Sequence, residues 1–170
     1  MDKLPNLLVM GLDQYIEIEV VRKTVNVEKQ RTVTERRDET LAYFRKVNFI
    51  QKFFENKYEI PDDERIPITK EDLAELADLC ERVINKFEEW DGAKEALDSD
   101  DYTEPPKHIQ DYANELLPTC DGFFFGSTDY DNWYFNDVKY VLNTVRELLQ
   151  EVEDTYEAED ADDYQLFYRA

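Results

Sequence analysis

From Tyr15 to Val21 apolar and polar residues alternate: Ile16, Ile18 and Val20 point one way while Glu17 and Glu19 point the other. That is the period of a half-buried strand. A second β-branched run, Thr24 to Val27, continues this strand or folds back on it as a hairpin. Tyr43, Phe44, Val47, Ile50 and Phe54 then fall at helical spacing. They predict a first helix from about Thr34–Asp38 to Asn56, with Arg36, Arg37, Lys46 and Glu55 among its solvated positions. Thr69-Lys-Glu-Asp72 resembles a capping box with Asp in place of Glu, and opens a second helix reaching about Trp90. Its inward stripe is Leu73, Leu76, Cys80, Val83, Ile84 and Phe87. Pro105-Pro106 starts a short third helix carrying Ile109, Tyr112, Ala113 and Leu116, and Pro118 ends it. Between the second and third helices, Asp91 to Glu104 reads as an acidic, mobile connection. The fourth helix is the longest. It begins near Thr128–Asp131 and turns Val138, Val141, Leu142, Val145, Leu148, Leu149 and Val152 inward. Tyr164 to Tyr168 closes the chain as a strand able to pair with residues 14–21. The expected fold is α+β, about four helices packed on a small antiparallel sheet made by the N-terminal strand or strands and the C-terminal strand.

Length and composition narrow this picture. With 170 residues the chain suits one domain, here read as an extension over 1–9, docking through Leu7, Leu8 and Val9, followed by a single acidic domain over 10–170. Hydrophobic residues are 42% and aromatics 14%, too many for an acidic disordered chain. No apolar run approaches the roughly 18 residues of a membrane span. The 41 acidic and 20 basic side chains give a net charge of −21, which opposes direct binding to nucleic acid or to an anionic membrane. The imbalance is uneven. Residues 1–85 hold 14 basic and 18 acidic side chains, whereas residues 86–170 hold 6 and 23. The densest run is Glu147, Glu151, Glu153, Asp154, Glu157, Glu159, Asp160, Asp162 and Asp163, with no basic residue among them. Acids at a helix C-terminus oppose its dipole, so the run serves either solubility or binding.

Candidate chemistry is sparse. Cys80, Cys120 and the single histidine, His108, match no metal-ligand spacing, and the cysteines read as reduced, partly buried thiols. His108 sits in the first turn of the third helix, where an exposed or capping role is expected. Asp121, Asp129, Asp131 and Asp137 lack the spacing of a calcium loop, so neither a metal nor a cofactor is expected. The most distinctive stretch runs from Leu116 to Asp131. Gly122 and Gly126 bracket three phenylalanines, Phe124 at their centre, and lead through Ser127, Thr128 and Asp129 into the last helix. Free N–H groups there can hold an anion, though the lysine of a P-loop is missing and Asp129 and Asp131 repel phosphate. The structural alternative is a tight aromatic loop that plugs the core and caps the helix. Of the surrounding rings, Tyr130, Trp133, Tyr134 and Phe135 among them, one or two should lie on the surface.

Met10-Gly-Leu-Asp-Gln-Tyr15, Tyr43-Phe-Arg-Lys-Val-Asn48, Phe49-Ile-Gln-Lys-Phe-Phe54 and Leu116-Leu-Pro-Thr through Gly122-Phe-Phe-Phe-Gly-Ser-Thr-Asp-Tyr-Asp131 resemble a family of small uncharacterised proteins. Tailed bacteriophages and prophages encode that family. The resemblance spans residues 10 to about 152. Phe44 and Phe53 stand where the family pattern has Trp, and Gln51 where it has His; an amide does not titrate near neutrality. The resemblance implies an accessory protein acting in bacterial cytoplasm. Joined to the acidic run, it leads to an expected binder and inhibitor of a host nucleic-acid-binding defence protein through a basic surface, by nucleic-acid mimicry. The alternative is a small-ligand-binding protein or enzyme using the Gly122–Asp131 loop with Arg45, Lys46 and Asn48 from the first helix. Homodimerisation through surplus aromatics is a further option.

Overall fold

The computed structural model describes residues 12–122, 124–157 and 163–170. Four antiparallel strands, β1 (Asp13–Asn26), β2 (Arg31–Arg45), β3 (Ile66–Ile68) and β4 (Asp163–Arg169), form one sheet in the order β2-β1-β4-β3. Five helices accompany it among the described residues: α1 (Asn48–Glu55), α2 (Lys70–Glu88), α3 (Ala93–Asp98), α4 (Lys107–Leu116) and α5 (Asn132–Glu151). The fold is therefore α+β. The C-terminal strand pairs where the alternation in β1 invites it, from Tyr15 against Arg169 to Val21 against Asp163. The proposed docking of Leu7, Leu8 and Val9 lies outside the described residues.

One face of the sheet is apolar. Ile16, Ile18, Val20, Phe44, Leu166 and Tyr168 are buried against the helices. α2 and α5 form the second layer and run antiparallel, as shown by contacts Lys70–Glu157, Glu81–Arg146 and the stacked rings of Phe87 and Phe135. The opposite sheet face carries charge and aromatics. Arg169 bonds Glu17 at 3.1 Å and lies over Tyr15, while Arg65 bonds Glu19 at 3.0 Å and lies over Phe167. Such cross-strand pairs give a wet face its register.

A buried polar network ties β1 and β4 to α1 and the residue before it. The Gln14 side chain accepts from the Val47 N–H at 3.0 Å and donates to the Val47 carbonyl at 2.9 Å and the Tyr168 hydroxyl at 3.0 Å. Tyr168 donates in turn to Gln51 Oε1 at 2.6 Å, its ring stacked on Phe54. Each buried polar atom is thereby satisfied, which is what allows two glutamines in a core.

Two expectations are corrected, and one strand was not anticipated. The segment from Thr34 to Arg45 is strand, not the start of a helix; α1 begins only at Asn48. β1 and β2 pair from Asp13–Arg45 to Asn26–Arg31, and the backbone of Lys46 turns left-handed at φ 56°, which ends the strand and prevents one helix from spanning 34–56. Register against β1 outweighs the helical spacing of Tyr43, Phe44 and Val47. The stretch Asp91–Glu104 contains α3, whose Ala93 and Ala96 are buried. It is tied down by Asn132, which donates to the carbonyls of Ser99 and Asp101 and accepts from the Thr103 N–H at 3.0 Å. β3 went unread because three residues, Ile66-Pro-Ile68, are too few to show a period.

Candidate functional site

Two places collect the residues singled out in the sequence. The first is the end of α5. Val145, Leu148, Val152 and Tyr156 face the core, and this leaves Glu147, Glu151 and Asp154 exposed on the outer side, with Glu153 exposed on the flank towards Lys70. After Glu151 the chain continues as a π-helical extension, Val152–Glu157. Its anchor is Tyr156, whose hydroxyl donates to Glu39 of β2. The acidic run is not uniform. Glu157 is taken up by Lys70 and by the Tyr164 hydroxyl, both of which hold its carboxyl below the usual range. Asp163 lies in β4 beside Lys23 and Arg36, away from the helix face. Glu159, Asp160 and Asp162 are outside the described residues. Four exposed acids therefore remain along the helix and its extension, three of them on its outer side, and no ion pair among the described residues engages them.

The second place is a cleft of about 240 Å³ between the β2–α1 corner and the loop before α5. Arg45, Lys46 and Asn48 line one wall and Gly126, Ser127, Asp129, Asp131, Trp133 and Asp137 the other. The juxtaposition expected from sequence is present, although Arg45 and Lys46 precede α1 instead of lying on it. The loop is built by its own chemistry. The Phe125 N–H donates to the Gly122 carbonyl at 3.1 Å, and a Cβ on Gly122 would lie 2.3 Å from the Phe125 ring. Gly126 has φ 88°, a conformation L side chains avoid, and packs against Lys46. Phe124 adopts φ 66°, while Phe123 is outside the described residues. Asn48 clamps the loop by donating to the carbonyls of Phe125 and Ser127 at 3.2 and 2.9 Å. The Thr119 hydroxyl does the same to the Thr128 carbonyl at 2.9 Å.

The α5 N-terminus is already capped. Asp131 Oδ1 accepts from the Tyr134 N–H at 2.9 Å, so the anion seat considered from sequence is filled by the chain's own carboxylate. Burial raises the carboxyl of Asp137 to about 6, helped by the charge of Asp131, and burial likewise raises Asp131. Trp133, 47% exposed, leans edge-on against Tyr102, 48% exposed, at the rim. Other expected chemistry is absent from the cleft. His108 is exposed on α4. Cys80 is buried in the core, and Cys120 donates to the Asn48 carbonyl with burial raising its thiol to about 11. Gln51 is 6% exposed and occupied by Tyr168 in the core. Among the described residues no group of three or more His, Cys, Asp or Glu is arranged to hold a metal ion.

No family model, curated protein or solved structure matches this chain. Among the described residues no helix is long and apolar enough to cross a membrane.

Proposed function

We propose that this chain is an acidic binding protein that covers a basic, nucleic-acid-binding surface on another protein. The observation that carries the reading is the set Glu147, Glu151, Glu153 and Asp154, exposed along α5 and its π-helical extension and in no ion pair among the described residues. At about 1.5 Å rise per residue these four span roughly 10 Å. Their spacing is close to the ~3.4 Å per charge of one DNA strand, wider than the ~1.7 Å of the duplex. Helical scaffolding holds the charges in place, which lowers the ordering cost of binding. The resemblance to phage and prophage proteins supplies the setting: an accessory protein in an infected bacterial cell, acting on a host nuclease or other defence protein.

The test is capture of a nucleic-acid-binding host protein by the full chain. Binding should fall at least tenfold in the E147Q/E151Q/E153Q/D154N variant, weaken at roughly 0.5 M salt, and yield to added duplex DNA. Unchanged affinity in the variant would remove the reading.

A second reading, a small-ligand site in the Asn48–Gly126 cleft, is favoured by one feature: Arg45 and Lys46 line it opposite the buried Asp131 and the half-buried Asp137 across an open space. Screening of nucleotides, sugars and divalent ions should then give a melting shift that Gly126→Val removes. An absence of shifts across the screen counts against it.

A further inference from the structure

β4 ends its pairing with β1 at Val21, yet β1 and β2 continue together as far as Asn26 and Arg31. The result is a two-stranded arm. Every residue from 22 to 38 is exposed, on both faces, and Val25, Val27 and Val33 are bare, Val27 at 83%. At ~3.3 Å per residue the arm reaches about 20 Å from the sheet. Isolated hairpins of this kind are marginal in water, so a projecting one calls for a partner.

Its charge is opposite to that of the rest of the molecule. Residues 22–37 hold six basic and two acidic side chains, net +4, while the remainder holds 14 and 39, net −25. Arg36 and Arg37 at the root are paired with Glu19 and Glu39. Lys29 and Arg31 at the tip, and Arg22 just beyond the root opposite Glu35, make no ion pair among the described residues. Two screening lengths, at ~8 Å each, separate the tip from the body, so the body's own acids do not neutralise it in physiological salt.

We infer that the arm docks on a second copy of this chain, its tip seated on the neighbour's Glu147–Asp154 face. This rests on the reading of that face as a receptor for basic surfaces. Three observations select the occupant. The complementary charge is present on the same chain at high density. Two arms repel each other, both being +4, so arm-to-arm pairing is disfavoured and arm-to-body contact remains. A nucleic acid would meet the arm's cations but also the −25 of the body behind them. The contact is head-to-tail, so repeated copies close into a ring or extend as a filament. A host protein with a basic surface would compete for the same face.

Sedimentation velocity of the full chain at about 50 mM and roughly 0.5 M salt tests this. The wild type should sediment as more than one chain in low salt and as one chain in high salt. R22E/K29E/R31E, at exposed positions, and E147K/E151K/D154K should each sediment as one chain throughout. The chain carrying both sets restores opposite charges and should assemble again. A monomeric wild type in low salt, or assembly that survives R22E/K29E/R31E, overturns the inference. So does a duplex DNA mobility shift lost in the arm variant. Partner capture separates the two readings: an arm variant that loses assembly but keeps the partner supports the arm contact, and capture that survives in the E147K/E151K/D154K chain overturns the reading of that face as a receptor for partners, while the assembly series still decides the arm.

Discussion

Tyr168 and Asp137 are polar groups in low-dielectric surroundings with opposite outcomes. Tyr168 donates to Gln51 while accepting from Gln14, so its hydroxyl completes the bonding of two buried amides. Tyr168→Phe should cost about 1–3 kcal/mol in chemical denaturation, because the buried Gln51 Oε1 loses its donor, while Gln14 keeps its bonds to Val47. Asp137 makes no comparable bond; burial and the Asp131 charge raise its carboxyl to about 6. The folded state therefore holds this proton more tightly than the unfolded chain, whose carboxyl titrates near 3.9. Its contribution to stability is greatest at low pH and is lost as pH rises through about 6. Asp137→Asn should raise the melting temperature at pH 7, worth about 1 kcal/mol, with the gap closing towards pH 4. Asp72 runs the other way. Burial raises it, but hydrogen bonds from Tyr58 and Thr69 outweigh burial and leave it lowered. Its contribution is present above the unfolded carboxyl range and is lost as pH falls through the lower folded value.

Among the elements, α2 was the most legible because every signal agreed. The Thr69 side chain accepts from the Asp72 N–H at 3.0 Å, Asp72 accepts from the Thr69 N–H at 3.0 Å, and the entire predicted stripe is buried. Thr69→Ala should cost about 1 kcal/mol by thermal melting. The segment from Thr34 to Arg45 was the least legible. Beyond Asp38 its partner β1 decides the conformation, and in the arm both faces are wet, so no alternation marks it as strand. The cleft was legible in its membership, since the Gly122–Asp131 run is distinctive. Its closure was not, because Asn48 reaches the loop across 77 residues and sequence spacing carries no trace of such a contact. Gly126→Ala should destabilise by about 1–2 kcal/mol, the cost of a left-handed L-residue.

For the whole molecule, a charge of −21 sets the response to solvent. Raising salt should increase the melting temperature by screening self-repulsion, with most of the gain below about 0.2 M. The acidic face is distributed over α5 and its extension, where four of the nine acids identified in the sequence stay exposed, while Glu157 is spent internally on Lys70. Sequence gave no sign of that division, since the lysine comes from another element. Replacing residues 23–34 by Asn-Gly, which suits a two-residue hairpin turn, should leave the melting temperature within about 2 °C, because nothing in the arm packs on the core.

Near the base of the hairpin the register slips by one residue: Ile16 faces Ala42 but Glu17 faces Thr40, leaving Leu41 as the extra residue. A bulge of this kind bends and over-twists the ladder. Leu41 thus acts as a gunner's elevation screw for everything beyond it. From Val21, where β4 ends, to Glu28 the lever is about 23 Å long, so each 10° of bend swings the tip by roughly 4 Å. A chain shortened by that one residue would keep its core pairs and point its far end elsewhere.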